Sequence, residues 1–322
     1  MKAYVYGANG AAITDVAKPA PKGTQVLVRV RACGLNRADL GMTKGHAHGS
    51  AGGAGTVLGM EWAGEIAEVG PEAKGVKIGD KVMGSGAAAF AEYTLADHGR
   101  LFRNPSNMNF EDAATLPVAL ATMHNAVVTN GALQPGQSVL IQGASSGVGL
   151  MAMQIAKLKG ARIVIGSSTD ATRRGRLKEF GADLAVDSSD PGWVNQVLKA
   201  TGGEGVDLIV DQVSGKVASQ NLAATRIKGR IVNVGRLGGT HADFNFDLHA
   251  ARRINYIGVT FRTRSIEEIR EIFDEVRKDI WPAVESRKLQ LPIDKVFAFD
   301  DIGKAFEHME ANRHLGKIVV TL

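Results

Sequence analysis

The stretch from Gln137 to Ser168, QSVLIQGASSGVGLMAMQIAKLKGARIVIGSS, constrains the fold of this chain more than any other part of it. Val139, Leu140 and Ile141 run without a polar break, as in a strand buried on both faces. Val148, Met151, Ile155 and Leu158 then recur at helical spacing, and Gly160 supplies a C-terminal cap. A second apolar run comes at once. Strand, turn, helix and strand in about 30 residues form a βαβ unit, which commits the chain to parallel strands with helices packed on the sheet. The alternation goes on with a helix to Phe180, a strand at 184–186 and a helix at 193–200. Strands at 206–210, 230–234 and 256–260 complete it. Six strands with intervening helices predict an α/β fold with a doubly wound parallel sheet.

The first ~120 residues have a different rhythm, with short apolar runs cut by glycine and proline. Gln25 to Ala32, Trp62 to Val69, Lys81 to Met83 and Phe90 to Leu95 read as strands, and Glu111 to Asn130 as helical with Pro117 at a kink or start. Near the end, Ser265 with Glu268 forms a capping box for a helix whose Ile266, Ile269, Ile272, Val276 and Ile280 share one face. A strand at 295–299, a helix at 302–311 and a strand at 317–321 complete the chain. The expected organisation is a cofactor domain at 122–262, inserted in a β-rich domain made of 1–121 and 263–322.

Composition removes several alternatives. The single cysteine, Cys33, excludes an internal disulfide and a thiolate zinc cluster. The formal charge of +5 comes without a basic block or stripe, so a solvated surface is expected and nucleic acid is not. No charged, apolar leader opens the sequence and no apolar run approaches the ~20 residues of a membrane span. A soluble, cytoplasmic protein is the expectation.

Gly143-Ala-Ser-Ser-Gly147-Val-Gly149 lies between the buried strand and the helix. Small residues there let backbone approach a pyrophosphate, and the helix N-terminus offers unpaired N–H groups to its charge. Gly143, Ser146, Gly147, Val148 and Gly149 are therefore the candidate dinucleotide-binding residues. The turn also resembles that of short-chain dehydrogenases, but those begin with it and carry a Tyr-x-x-x-Lys pair downstream. Here ~140 residues precede the turn, and Tyr256 is followed at the fourth position by Thr260. The second strand ends in Ser167, Ser168 and Thr169, with Arg173 and Arg174 a turn later, where an NAD-specific site would place a carboxylate. Hydroxyls and a guanidinium suit a 2′-phosphate, so NADPH is the expected cofactor, with Ser167, Ser168 and Arg173 as its ligands.

With these motifs placed, the chain resembles the zinc-free quinone oxidoreductase (zeta-crystallin-like) branch of the medium-chain dehydrogenase/reductase superfamily, whose fold is a Rossmann domain inserted in a GroES-like catalytic domain. The resemblance spans the whole chain. It rests on Cys33-Gly-Leu-Asn-Arg-Ala-Asp39, Leu58-Gly-Met-Glu-Trp-Ala-Gly64 and Gly79-Asp-Lys-Val82, then on the glycine turn, Gly205-Val-Asp-Leu-Ile-Val-Asp211, Met309-Glu-Ala-Asn312 and Gly316-Lys-Ile-Val319.

The resemblance implies hydride transfer from NADPH to a quinone or other conjugated carbonyl stacked on the nicotinamide. It places Asn36 beside that substrate, where its amide would donate to the oxygen that gains charge. A turn-stabilising asparagine is the competing reading. Asp39 is expected to orient the loop, and Glu61 to lie behind the site. Thr122 and Gly235 would approach the nicotinamide and its ribose, and Arg262 the cofactor cleft or a surface ion pair. Zinc-using relatives have their ligands at positions that fall on Asn36, Met60 and Val118, none a good zinc donor, so no metal is expected. His46 and His48 sit in a glycine-rich loop, 44–55, that lacks the aromatic residue and prolines usual in the branch. The runner-up function is reduction of an enoyl thioester or other activated alkene. A non-catalytic cofactor-sensing or RNA-binding role is the alternative from another class. The branch also implies a homodimer joined through the strand near Asn255 to Thr260.

Overall fold

The computed structural model describes residues 1–49 and 52–322. Ser50 and Ala51, inside the glycine-rich loop, lie outside the described residues. The chain divides into two compact units, Met1–Ala121 with Phe261–Leu322, and Thr122–Thr260.

The second unit is built on six parallel strands in the order Leu184–Val186, Ile163–Ser167, Ser138–Gln142, Val206–Asp211, Thr225–Asn233, Asn255–Gly258. This is the doubly wound sheet expected, with the strand order reversing beside the central strand Ser138–Gln142. That strand is flanked on both sides, Leu140 standing opposite Ile165 and Ile209. Its three apolar residues are fully buried, which is why they read as an unbroken run. The helix Gly147–Leu158 covers one face of the sheet with Leu150, Met151 and Ile155 buried. Close packing of that helix explains one glycine of the sheet: a methyl group on Gly166 would come within 2.9 Å of Met153 Sδ.

The first unit holds a seven-stranded sheet. Its main path runs Ile293–Ala298, Lys317–Thr321, Gln25–Gly34, Glu61–Val69, Lys81–Ser85, Leu101–Arg103, and Tyr93–Asp97 pairs with Gln25–Gly34. A smaller sheet pairs Lys2–Gly7 with Gly10–Asp15 and Thr56–Val57. Trp62, Phe90, Leu58 and Met42 fill the core together with Phe306 and Ile318 from the end of the chain. The C-terminal strand returns to the middle of this sheet and brings residues distant in sequence side by side. It runs antiparallel to Gln25–Gly34, with Val319 opposite Gly34, and Gly34 itself faces Glu61 on the next strand.

Two local expectations change. The single helical stretch at 111–130 is three elements: Phe110–Ala113, Pro117–His124 and a π-helical turn, Asn125–Asn130. Pro117 opens the second because proline cannot donate to a preceding turn but suits a first helical position. In the π-helical turn Asn130 Nδ2 donates to the Asn125 carbonyl at 2.9 Å, a side-chain bond competing with the main-chain ladder. The strand expected at 256–260 ends at Gly258. Among the described residues no helix is long and apolar enough to cross a membrane.

The capping box at Ser265 is present. Its hydroxyl accepts from Glu268 N at 3.2 Å, and the Glu268 carboxylate accepts from Ser265 N at 2.8 Å. The helix it starts, Ile266–Asp279, buries Ile269, Ile272, Phe273 and Val276, while Ile266 remains exposed. Ser265→Ala is expected to lower unfolding free energy by about 1 kcal/mol, read from the urea midpoint, and Ser265→Asp to restore most of it.

Candidate functional site

The strand Gln25–Gly34 ends where the helix Arg37–Met42 begins, and Asn36 is the residue between them, as its N-cap. Asp39 turns back and accepts a hydrogen bond from Asn36 N at 2.8 Å. Across the sheet Glu61 opens its strand, and from the C-terminal strand comes Lys317. Both carboxylates are fully buried, and Lys317 is 4% exposed.

Hydrogen bonds tie three of these side chains together, with Asp39 joined through the Asn36 backbone. Lys317 Nζ donates to Asn36 Oδ1 at 3.0 Å and forms an ion pair with Glu61 Oε1. Asn36 Nδ2 donates to the same Glu61 oxygen at 2.9 Å. Glu61 Oε2 accepts from Val118 N at 3.0 Å. The amide of Asn36 is thereby fixed in one orientation. An ammonium only donates, so it selects the amide oxygen, and a carboxylate only accepts, so it selects the nitrogen. The second proton on Nδ2 points to Gly34 O at a longer 3.4 Å. Gly34 must be glycine for this packing, since a methyl group there would lie 2.7 Å from Glu61 Oε1 and 2.4 Å from Ala114 O.

Two carboxyl groups and one ammonium, all out of water, cannot all carry charge cheaply. Burial raises the pKa of both Asp39 and Glu61. Lys317 and its hydrogen bonds oppose that at Glu61, and Asp39 is pushed up to about 7. Asp39 Oδ1 has no partner among the described residues. The neutral arrangement is a Glu61–Lys317 ion pair beside an Asp39 that holds a proton up to near-neutral pH. Burial also pushes up the Cys33 thiol, which donates to Ala89 O at 2.9 Å and is spent on structure.

Asn36 is thus a donor already engaged, and the turn-stabilising reading of it describes part of its work. Lys317 and the Val118 N–H were missed by sequence reasoning. The signal for Lys317 was present, a lone charged residue opening the otherwise apolar strand KIVVT.

The second group of candidates lies in the Thr122–Thr260 unit. Gly143 has φ +73° and Ser146 caps the helix Gly147–Leu158, accepting from Gly149 N at 3.1 Å. Gly149 packs against the turn so closely that a methyl group would meet Gly143 O at 2.6 Å. Gly147, Val148 and Gly149 form the helix's first turn, whose N–H groups have no intrahelical acceptor. These residues fit a dinucleotide's pyrophosphate.

Beside the turn, Ser167 and Ser168 separate in role. Ser167 is fully buried; its hydroxyl donates to Gln142 Oε1 at 2.6 Å and accepts from Gly143 N at 3.0 Å. It holds the turn and has no hydrogen left for a phosphate. Ser168 Oγ lies 3.1 Å from Ser145 Oγ, and Arg174 is bound to Ser168 O and Asp187. Asp170 caps its own helix through Arg173 N at 2.8 Å and lies 3.6 Å from Arg173 Nε, contacts that hold its carboxyl below the usual range. Gly235 is required inside the protein, as a methyl group there would come within 2.6 Å of Gln212 O. Thr122 is half-buried on the helix Pro117–His124. Arg262, in the first unit, is exposed, and its carbonyl lies where a methyl group on Gly49 would come within 3.2 Å. Among the described residues no three His, Cys, Asp or Glu side chains converge to hold a metal.

Two family models match the chain, "alcohol dehydrogenase GroES-like domain" over residues 22–106 and "zinc-binding dehydrogenase" over 147–278. Mouse quinone oxidoreductase-like protein 2 is 30% identical, covering 96% of this chain and 88% of its own length. The chain belongs to the quinone oxidoreductase-like medium-chain dehydrogenase/reductases. It is therefore an oxidoreductase of a superfamily that uses a nicotinamide cofactor. A phenolphthiocerol/phthiocerol polyketide synthase subunit of Mycobacterium tuberculosis is 30% identical over 96% of this chain, which spans 14% of that protein's length. The crystal structure of CurK enoyl reductase superposes with a TM-score of 0.87 at 25% identity, covering 99% of both chains. The superfamily fold accounts for both units, the parallel sheet carrying the glycine turn and the β-rich unit carrying Asn36, Glu61 and Lys317.

The buried cluster predicts two outcomes. Lys317→Met leaves Glu61 without its cation and is expected to cost about 3–5 kcal/mol of stability, with Lys317→Arg recovering a large part, by chemical denaturation. Asp39 binds its proton more tightly folded than unfolded, since its pKa rises from 3.8 to about 7. Its contribution is full below pH 4 and is lost as pH rises towards 7, by up to about 1.4 kcal/mol per pH unit. Asp39→Asn is expected to lack that slope; equal slopes in both proteins would place the proton elsewhere.

Proposed function

We propose that this oxidoreductase takes NADPH and reduces a quinone or another conjugated carbonyl, without zinc. The choice of NADPH rests on one observation above the others. Where the second strand ends, Asp170 is spent on capping its own helix and on Arg173, and Asp187 is paired with Arg174. Each of these carboxylates shares its charge with a guanidinium, so the strand end presents no unpaired negative charge to repel a phosphate. A 2′-phosphate finds Ser168 and Arg173 there, whereas a 2′-hydroxyl finds no free carboxylate to accept from it. Ser167, an expected ligand, acts in this reading by shaping the turn.

Zinc independence is supported by the donor set. Asn36, Met60 and Val118 are poor ligands for zinc, and the carboxylate and amide at that place are neutralised by the Lys317 ammonium.

When bound, NADPH supplies the hydride. The chain's own residues then have three tasks. Gly143, Ser146, Gly147, Val148 and Gly149 hold the pyrophosphate on the helix N-terminus. Asn36, locked by Lys317 and Glu61, keeps one Nδ2 hydrogen on Glu61, and the second, held only at 3.4 Å by Gly34 O, is the one that would be shared with the oxygen of a conjugated carbonyl as it gains charge. Because the lock is made before substrate arrives, little reorganisation is left for the reaction itself. Thr122, Gly235 and Arg262 are the further residues assigned to cofactor contact.

A second reading, reduction of an enoyl thioester, is supported by the likeness to CurK enoyl reductase and to polyketide synthase subunits. Dimerisation through the exposed edge strand Asn255–Gly258 belongs to the same proposal. It is supported by the half-exposed Tyr256 on that strand and by Phe246, 76% exposed in the aromatic group around Phe244.

The test monitors NADPH absorbance with a panel of quinones, with NADH and an enoyl thioester run beside them. Turnover of a quinone with NADPH favoured over NADH is the expected result. Arg173→Ala is then expected to raise KM for NADPH about tenfold and leave that for NADH unchanged, the size of one charge-assisted phosphate contact. Preference for the thioester would replace the substrate assignment, and equal use of NADH would overturn the cofactor assignment.

A further inference from the structure

A cavity of about 520 Å³ lies within the Met1–Ala121 and Phe261–Leu322 unit, between the helix Ile266–Asp279, the strand Leu101–Arg103 and the segment around Lys74. Asn36, Asp39, Glu61 and Lys317 do not line it. Its size falls in the range of small-molecule sites, roughly 300–1,000 Å³.

Its lining has two parts. Apolar side chains, Val76, Val82 and Leu101, surround the aromatic faces of Phe102 and Trp281. The two rings stack at 5.0 Å with 21° between their planes, and Phe102 stacks on Phe273 at 4.5 Å. Phe102 and Phe273 are buried and back the half-buried Trp281, whose ring is thereby fixed at the cavity wall. Arg277 lies over the same aromatic group, its Cζ 5.6 Å from the Phe102 centroid, and it is held there by the carbonyls of Gly99 and Leu101 at 2.7 and 2.8 Å.

The polar part is cationic beyond what its own acids neutralise. Asp274 pairs with Arg277, and Asp97 takes Arg270 through two hydrogen bonds at 2.7 and 2.8 Å. Two cations remain at the rim. The Lys74 ammonium has no ion-pair partner among the described residues, and Arg103 lies 3.8 Å from Asp80, at the limit of a pair, with 71% of its side chain exposed. Aromatic ring, apolar wall and surplus rim charge together describe a site for an amphipathic anion.

We propose that this cavity is a second ligand site, separate from the Asn36 cluster, for a planar aromatic carboxylate. The ring system lies against the half-buried Trp281 beside the Arg277 guanidinium, and the carboxylate reaches Lys74 and Arg103. Stacking and burial hold the ring, and the rim charges select the acid over its neutral analogue. A single negative charge is what two rim cations, one of them partly neutralised, can match. Its titratable lining residues, His98 and Asp274, are taken up by contacts with Lys74 backbone and Arg277, so the role assigned to the site is binding. It does not depend on which substrate the enzyme reduces.

The test uses 2-naphthoate as probe, with 2-naphthamide as its neutral counterpart, in calorimetric titrations of the whole protein at low salt. Trp281, which lines the cavity, gives a second readout by fluorescence, with Trp281→Phe showing which part of the emission is its own. Naphthoate is expected to bind and quench the emission, and naphthamide to bind more weakly. The double substitution Lys74→Glu and Arg103→Glu, at exposed positions, is expected to weaken naphthoate about tenfold and leave naphthamide unchanged. Raising the salt should act in the same direction. Failure of naphthoate to bind at millimolar concentration overturns the proposal. So does equal affinity in the doubly substituted protein, or displacement of naphthoate by NADPH, which would put the probe in the cofactor site.

Discussion

Glu61 and Lys317 are withdrawn from water at opposite ends of the chain's sequence, and each would be costly there without the other. A buried ion pair contributes little to net stability against an apolar alternative, yet losing one partner is expensive. The pair therefore acts less as glue than as a constraint on register. Lys317 reaches Glu61 only if the C-terminal strand lies beside Gln25–Gly34 with Val319 opposite Gly34. A slip of one residue would turn Lys317 to the other face and put an apolar side chain against the carboxylate. The bare Cα of Gly34, between them, admits the Glu61 carboxylate where any side chain would block it.

That constraint passes to Asn36. An asparagine at a helix N-cap is ordinarily free to turn its amide through 180°, because oxygen and nitrogen differ little in shape. Here an obligatory donor sits at one end and an obligatory acceptor at the other. Asp39 fixes the backbone of the same residue from behind. An amide so held is pre-oriented toward whatever approaches its open side, and its order comes from residues 25 and 281 positions away. The cluster is a device for holding one polar group still in a site of low dielectric, where a misdirected dipole costs most.

Much of the fold was legible because its signals are local. The unbroken run at 139–141, the glycine turn and the helical spacing to Leu158 together dictated a βαβ unit, and the alternation to residue 258 extended it to six strands. Ser265 and Glu268 marked a helix start that the hydrogen bonds realise. The illegible parts depend on partners distant in sequence or on competition within a turn. Nothing local tells that Ser167 donates to Gln142, so its hydroxyl read as a phosphate ligand when the turn needs it. The π-helical turn at Asn125–Asn130 arises from one asparagine side chain competing with the backbone. Gly235 read as a place of close backbone approach, and the Gln212 carbonyl is one neighbour that comes that close. Lys317 stood in a motif that carried the family resemblance, and only the pairing of the last strand reveals which carboxylate it meets.

The two units use glycine and charge for different ends. In the Rossmann sheet the small residues bring the turn and helix together, Gly149 against Gly143 and Gly166 against Met153, so that the helix N-terminus stands at the end of the central strand. Binding there, as proposed, would rely on backbone N–H groups, which only proline removes and which the fold itself aims. The β-rich unit relies on side chains, and side chains must be held by other side chains. Its polar cluster is consequently buried, interlocked and dependent on long-range pairing, whereas the cations at the rim of its cavity, Lys74 and Arg103, are exposed. A site built on backbone tolerates change around it, and a site built on a locked amide does not. Divergence in this fold should therefore fall first on the exposed lining of cavities, where Lys74 can change without disturbing a buried charge.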